Sequence, residues 1–82
     1  MSKQPEFYLV TPNTKTQGST ADLLAFLDLA ERTPRISVTQ ITGTRSQPVR
    51  VRISASNDDI QPLRSEFGDR LIIEPDRPLE LF

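Results

Sequence analysis

The chain has no cysteine, no histidine and no tryptophan, and only three glycines and one methionine among its 82 residues. Each absence removes chemistry. Without cysteine there is no disulfide framework, no thiolate nucleophile and no thiolate zinc site; without histidine the commonest general base is gone. An excess of one charge is lacking too, since ten basic residues face eleven acidic ones for a net charge of −1. That balance argues against a nucleic-acid or membrane-surface binder working through bulk positive charge. No apolar run approaches the roughly 18 residues of a membrane span, and the opening MSKQPEFYLVTP lacks the apolar core of a secretory signal. The expectation is a cytoplasmic protein, away from membranes. Length allows one domain, which buries only about 60–65% of its unfolded surface and has no staple to help. Carboxylates remain for acid–base work, so catalysis is not excluded outright. Even so, the expectation is a chain that is not an enzyme and carries no cofactor or metal.

What is present is a readable alternation of elements. Phe7-Tyr8-Leu9-Val10, closed by Thr11-Pro12, reads as a strand. Asn13 to Gly18 reads as a loop. Ser19-Thr20-Ala21-Asp22 has the form of a helix start, with Asp where the longer Glu is preferred. Leu23, Phe26, Leu27 and Ala30 follow at helical spacing, Leu24 widens the stripe, and Thr33-Pro34 stops it. Arg35 to Thr42 reads as a strand, residues 43–48 as a turn. Val49, Val51, Ile53 and Ala55 then alternate with Arg50, Arg52, Ser54 and Ser56, a strand with one apolar and one polar face. Ser56 to Asp59 supplies helix caps for Ile60, Leu63 and Phe67, spaced on one helix face. Pro62 is expected in the first turn of that helix, where its missing amide costs least. Gly68 is a candidate C-cap, and Leu71-Ile72-Ile73 a last strand. The order β-α-β-β-α-β predicts an α+β, ferredoxin-like fold: a four-stranded antiparallel sheet with both helices on one face. The other sheet face is then bare.

The chain finishes Leu71-Ile72-Ile73-Glu74-Pro75-Asp76-Arg77-Pro78-Leu79-Glu80-Leu81-Phe82. An apolar tail folds back onto a core or is offered to another protein as an extended ligand. By its element order and this ending, the chain resembles the subtilisin propeptide family and its free-standing proteinase inhibitors. In that family an apolar run on the last strand precedes a Glu-x-Asp pair and a short extended tail. Glu74 and Asp76 match the pair, and the distance from Asp76 to Phe82 matches the family's spacing to the terminus. The match in element pattern covers nearly the whole chain; its specific part is the last dozen residues.

The resemblance implies a non-covalent inhibitor, and a folding helper, of a subtilisin-like serine protease, monomeric when free. Residues 1–78 would form the domain and residues 79–82 the tail in the substrate cleft. Phe82 would fill the primary specificity pocket, Leu81 and Glu80 would follow, and Leu79 would enter the second large apolar pocket. The tail would be held as a cleaved product is held, near the serine and its oxyanion hole. Glu74 and Asp76 would cap two helix N-termini of the enzyme, which are natural anion sites. Two acids separated by one residue in extended chain point the same way, and the same period adds Ile72 and Arg70 as sheet-face contacts. Arg50, Arg52 and Ser54 are secondary candidates on the hairpin.

Other readings stay open on the residues alone. Glu74 and Asp76 also read as solvated acids beside a turn, and Arg50 and Arg52 as a wet strand face. The same topology serves RNA-binding domains, but those need stacking aromatics on central strands, and only Phe7 and Tyr8 are available. It also serves small-ligand regulatory domains of ACT type and acylphosphatase-like enzymes; for the last, no phosphate-cradling glycine loop is present.

Overall fold

The computed structural model describes residues 5–76. Its elements are β1 (Glu6–Pro12), α1 (Thr20–Arg32), β2 (Ser37–Gly43), β3 (Pro48–Ala55), α2 (Asn57–Phe67) and β4 (Leu71–Pro75). The strands form one antiparallel sheet in the order β2-β3-β1-β4. This is the α+β, ferredoxin-like arrangement that the element order predicts.

Period-two alternation makes the sheet two-faced. Tyr8 and Val10 of β1, Val51, Ile53 and Ala55 of β3, and Leu71 and Ile73 of β4 turn inward and are buried. They join Leu23, Phe26, Leu27 and Ala30 of α1 and Ile60 and Leu63 of α2 in a single core cluster. Both helices therefore cover the same sheet face. Phe26 meets Phe67 edge-on, with ring centroids 5.5 Å apart, and so ties the helices to each other.

Helix α1 begins as its sequence suggests. Asp is long enough here: the Ser19 amide donates to Asp22 Oδ2 at 2.9 Å, and Thr33 ends the helix in extended backbone. That amide, with smaller help from the Ser19 hydroxyl and Arg70, holds the Asp22 carboxyl below its usual range against a modest opposing effect of burial. A lowered folded value means that Asp22 contributes stability above its unfolded value, near about pH 4, and loses it as pH falls through the folded one. Urea unfolding of the parent and of Asp22→Asn is expected to show a stability gap at pH 7 that narrows below about pH 4. A gap independent of pH would refute this.

Two local expectations are corrected. Pro62 is not in the first turn of α2; that helix starts at Asn57 after the Ser56 cap and runs through Pro62 to Phe67. The proline lies on the exposed side, where its missing amide leaves a defect that core contacts of Ile60 and Leu63 outweigh. Val49 does not share the buried face with Val51: it is 63% exposed, and Pro48 is buried in its place. The cause is a shift in β2–β3 pairing between Thr42 and Gly43, which sets Gly43 opposite Pro48. A second irregularity, between Val38 and Gln40, leaves Thr39 as an extra residue. Ile41 can then return to the core-facing side with Val38, and both pack against the core.

The candidate functional site: the sheet face opposite the helices

The site is built on β4, an edge strand paired with β1 through Leu9↔Glu74, Val10↔Ile73 and Thr11↔Ile72. Because Leu71 and Ile73 are drawn into the core, Ile72 and Glu74 must face the other way; Ile72 is 37% exposed. Asp76 prolongs the alignment, since its amide donates to the Phe7 carbonyl at 2.8 Å. Ile72, Glu74 and Asp76 thus lie along one side of the last strand, facing away from the helices. Arg64 of α2 donates to the Ile73 carbonyl at 2.9 Å, occupying a main-chain acceptor of the strand.

The rest of this face, which no helix covers among the described residues, follows from the same register. Phe7 and Leu9 of β1 sit opposite Ser54 and Arg52 of β3, with Gln40 of β2 beyond Arg52. Arg50, Arg52 and Ser54 occupy the polar side, as the alternation predicts. A strip of Phe7, Leu9 and Thr11 runs between basic side chains on β3 and acidic ones on β4.

Arg52 crosses that strip. Its guanidinium carbon lies 3.9 Å from the centre of the Phe7 ring, and its Nε donates to Asp76 Oδ2 at 2.7 Å. Both charged side chains are about one-third exposed, 31% for Arg52 and 32% for Asp76. Glu74 is exposed and has no ion pair among the described residues.

Arg70 departs from the expected grouping. It precedes β4, in the turn where its amide bonds to the Phe67 carbonyl, so strand periodicity does not govern it. Its guanidinium faces Asp22 at the start of α1, 3.4 Å away, on the helix side of the molecule. Leu79, Glu80, Leu81 and Phe82, named as cleft-binding residues, lie outside the described residues.

Sequence reasoning did not place two residues of this face. Phe7, 40% exposed, and Leu9 belong to this face, a placement readable in the sequence once Tyr8 and Val10 are assigned inward. Tyr8, by contrast, is in the core at 2% exposure and is lost as a stacking aromatic. The Phe7 ring carries an arginine that is itself bound by an acid, which leaves little for an RNA base to stack on. No group of three or more acidic side chains is placed to hold a metal ion among the described residues, and no helix there is long and apolar enough to cross a membrane. Comparison with protein-family models, curated proteins and solved structures finds no match to this chain, so the functional reading rests on the site's own geometry and chemistry.

Proposed function

We propose that the protein is a non-covalent inhibitor of a subtilisin-like serine protease, using its uncovered sheet face as the docking surface and its apolar terminal segment as the cleft ligand. One observation carries this reading. Ile72, Glu74 and Asp76 line up on the exposed side of the edge strand that leads directly into Leu79-Glu80-Leu81-Phe82.

The chemistry supports it. An exposed apolar residue followed along the strand by two aligned carboxylates suits a protein surface bearing helix N-termini, whose unpaired amides and positive dipole ends attract anions. A peptide segment bound in extended form in a substrate cleft gains affinity from main-chain bonds and specificity from alternate side chains that fill pockets. Phe82 and Leu79 are the side chains assigned to the two large apolar pockets. The chain supplies no reacting group; inhibition comes from slow departure of a segment held as product is held. A folding-helper role uses the same surface, with the sheet face as template for the enzyme's helices.

The test is titration of a subtilisin-type protease with the full chain, scored by competition with a peptide substrate. Saturable competitive inhibition is expected; its absence overturns the reading. Replacing Glu74 and Asp76 together by Ala is expected to weaken inhibition about 3- to 1,000-fold, from two helix-terminus contacts of roughly 0.3–2 kcal/mol each. Circular dichroism should show the variant folded. Unchanged affinity would remove the helix-capping contacts.

A further inference from the structure

We propose that Arg52 is a positioning residue that clamps Asp76, and with it the root of the terminal segment, onto the sheet before any partner arrives. Its purpose rests on the inhibitor reading above; its geometry does not.

Asp76 is held at two points. Its amide makes the last β1–β4 rung among the described residues, to the Phe7 carbonyl, and its carboxylate accepts from Arg52 Nε. Arg52 is fixed in turn by the Phe7 ring beneath it, and its Nη1 lies 3.4 Å from the Thr39 hydroxyl. Three strands therefore combine on one residue: β3 provides the cation, β1 the ring and the carbonyl, and β4 leads to the acid. A planar guanidinium suits this because it can stack on a ring and donate in its own plane at once, which an ammonium cannot.

The clamp also leaves the carboxylate usable. Only Oδ2 is taken; Oδ1 has no hydrogen bond among the described residues. A carboxylate held through one oxygen presents the other in a set direction, so a partner's amides meet an acceptor already oriented. Pre-organisation of this kind lowers the entropy lost on binding. Glu74, with no such partner among the described residues, lacks this restraint.

The test uses the full chain carrying Arg52→Ala, Arg52→Lys or Asp76→Asn, with two readouts. In the free protein, the hydrogen-exchange protection factor of the Asp76 amide is expected to fall about three- to tenfold in Arg52→Ala and in Asp76→Asn, the range of one partly exposed charged contact. Lys should restore part of it, while the Leu27 amide in the core-facing helix stays unchanged. If Arg52→Ala unfolds the domain, Asp76→Asn takes the charge from the same contact by a near-isosteric change, Asp76→Leu removes the acceptor as well, and the two together decide the question. Parent-like protection of Asp76 in a folded clamp variant overturns the proposal. Against a subtilisin-type protease, Arg52→Ala should weaken inhibition by a similar factor, whereas Arg32→Ala, at an exposed ion pair with Asp28 on α1, should change it less than about twofold. Unchanged or tighter inhibition by Arg52→Ala would mean that Arg52 competes for Asp76 rather than presenting it, and the proposal fails. If the parent does not inhibit at all, the inhibitor reading falls, and the exchange result alone judges the clamp.

Discussion

A chain ending at Pro78 is expected to lose inhibition by about two to four orders of magnitude while its melting temperature barely changes. Both halves of that result have a physical source. Buried Phe and Leu side chains contribute about 1.5–3 kcal/mol each. Extended main-chain bonds add about 0.5–1.5 kcal/mol apiece. A loss of roughly 3–6 kcal/mol corresponds to the stated change in affinity. Stability should hold because the core formed by the described residues runs from Tyr8 to Ile73, all N-terminal to the deleted segment. Enzyme titration and a thermal melt on the same two samples provide the measurement. Equal inhibition by the shortened chain would place the whole effect in the sheet face and eliminate the cleft ligand. A large fall in melting temperature would instead mean that Leu79 and Leu81 belong to the fold.

Gly18→Ala is expected to destabilise the domain by about 2–4 kcal/mol, lowering the melting temperature by roughly 10–25 °C. A Cβ at that position would lie 1.9 Å from the Arg70 carbonyl oxygen, and 2.7 Å and 2.9 Å from the Asn13 amide nitrogen and carbonyl oxygen. All three neighbours are backbone, so no side chain can swing aside. Relief requires the loop after β1 to part from the turn before β4. That breaks the bond from the Asn13 amide to the Arg70 carbonyl, 2.8 Å, and disturbs the Thr16 hydroxyl's bond to the Asp69 carbonyl. For a domain of this size the total stability is about 4–12 kcal/mol, so the loss is a large part of it. Thermal unfolding followed by circular dichroism measures the effect; a shift under about 3 °C would show that the junction yields easily. The same junction sets where β4 begins. Loosening it should also blur the alignment of Ile72, Glu74 and Asp76.

Much of the fold was legible because it depends on local periodicity. The spacing of Leu23, Phe26, Leu27 and Ala30 specifies the buried side of α1, and Thr33-Pro34 its end. The alternation of Val51, Ile53 and Ala55 with Arg52 and Ser54 specifies which face of β3 is wet. Departures came where a distant contact outweighs a local preference. Pro62 sits inside α2 because burial of Ile60 and Leu63 outweighs a lost helix bond. Val49 is exposed because pairing with β2 shifts at Gly43. Arg70 leaves the acids' side because a turn residue does not follow strand period.

The sequence by itself determined that this protein has no thiol or imidazole chemistry, no bulk charge with which to attract a polyanion, and six elements in an order that leaves one sheet face uncovered. Composition and periodicity are local properties, and local properties survive without a fold. Only the tertiary structure decided that Arg52, 24 residues before Asp76, reaches it across Phe7, and that Gly18 lies against Arg70. Those contacts join strands and loops far apart in the chain. They exist only once hydrogen-bond register and core packing have set the distances between them.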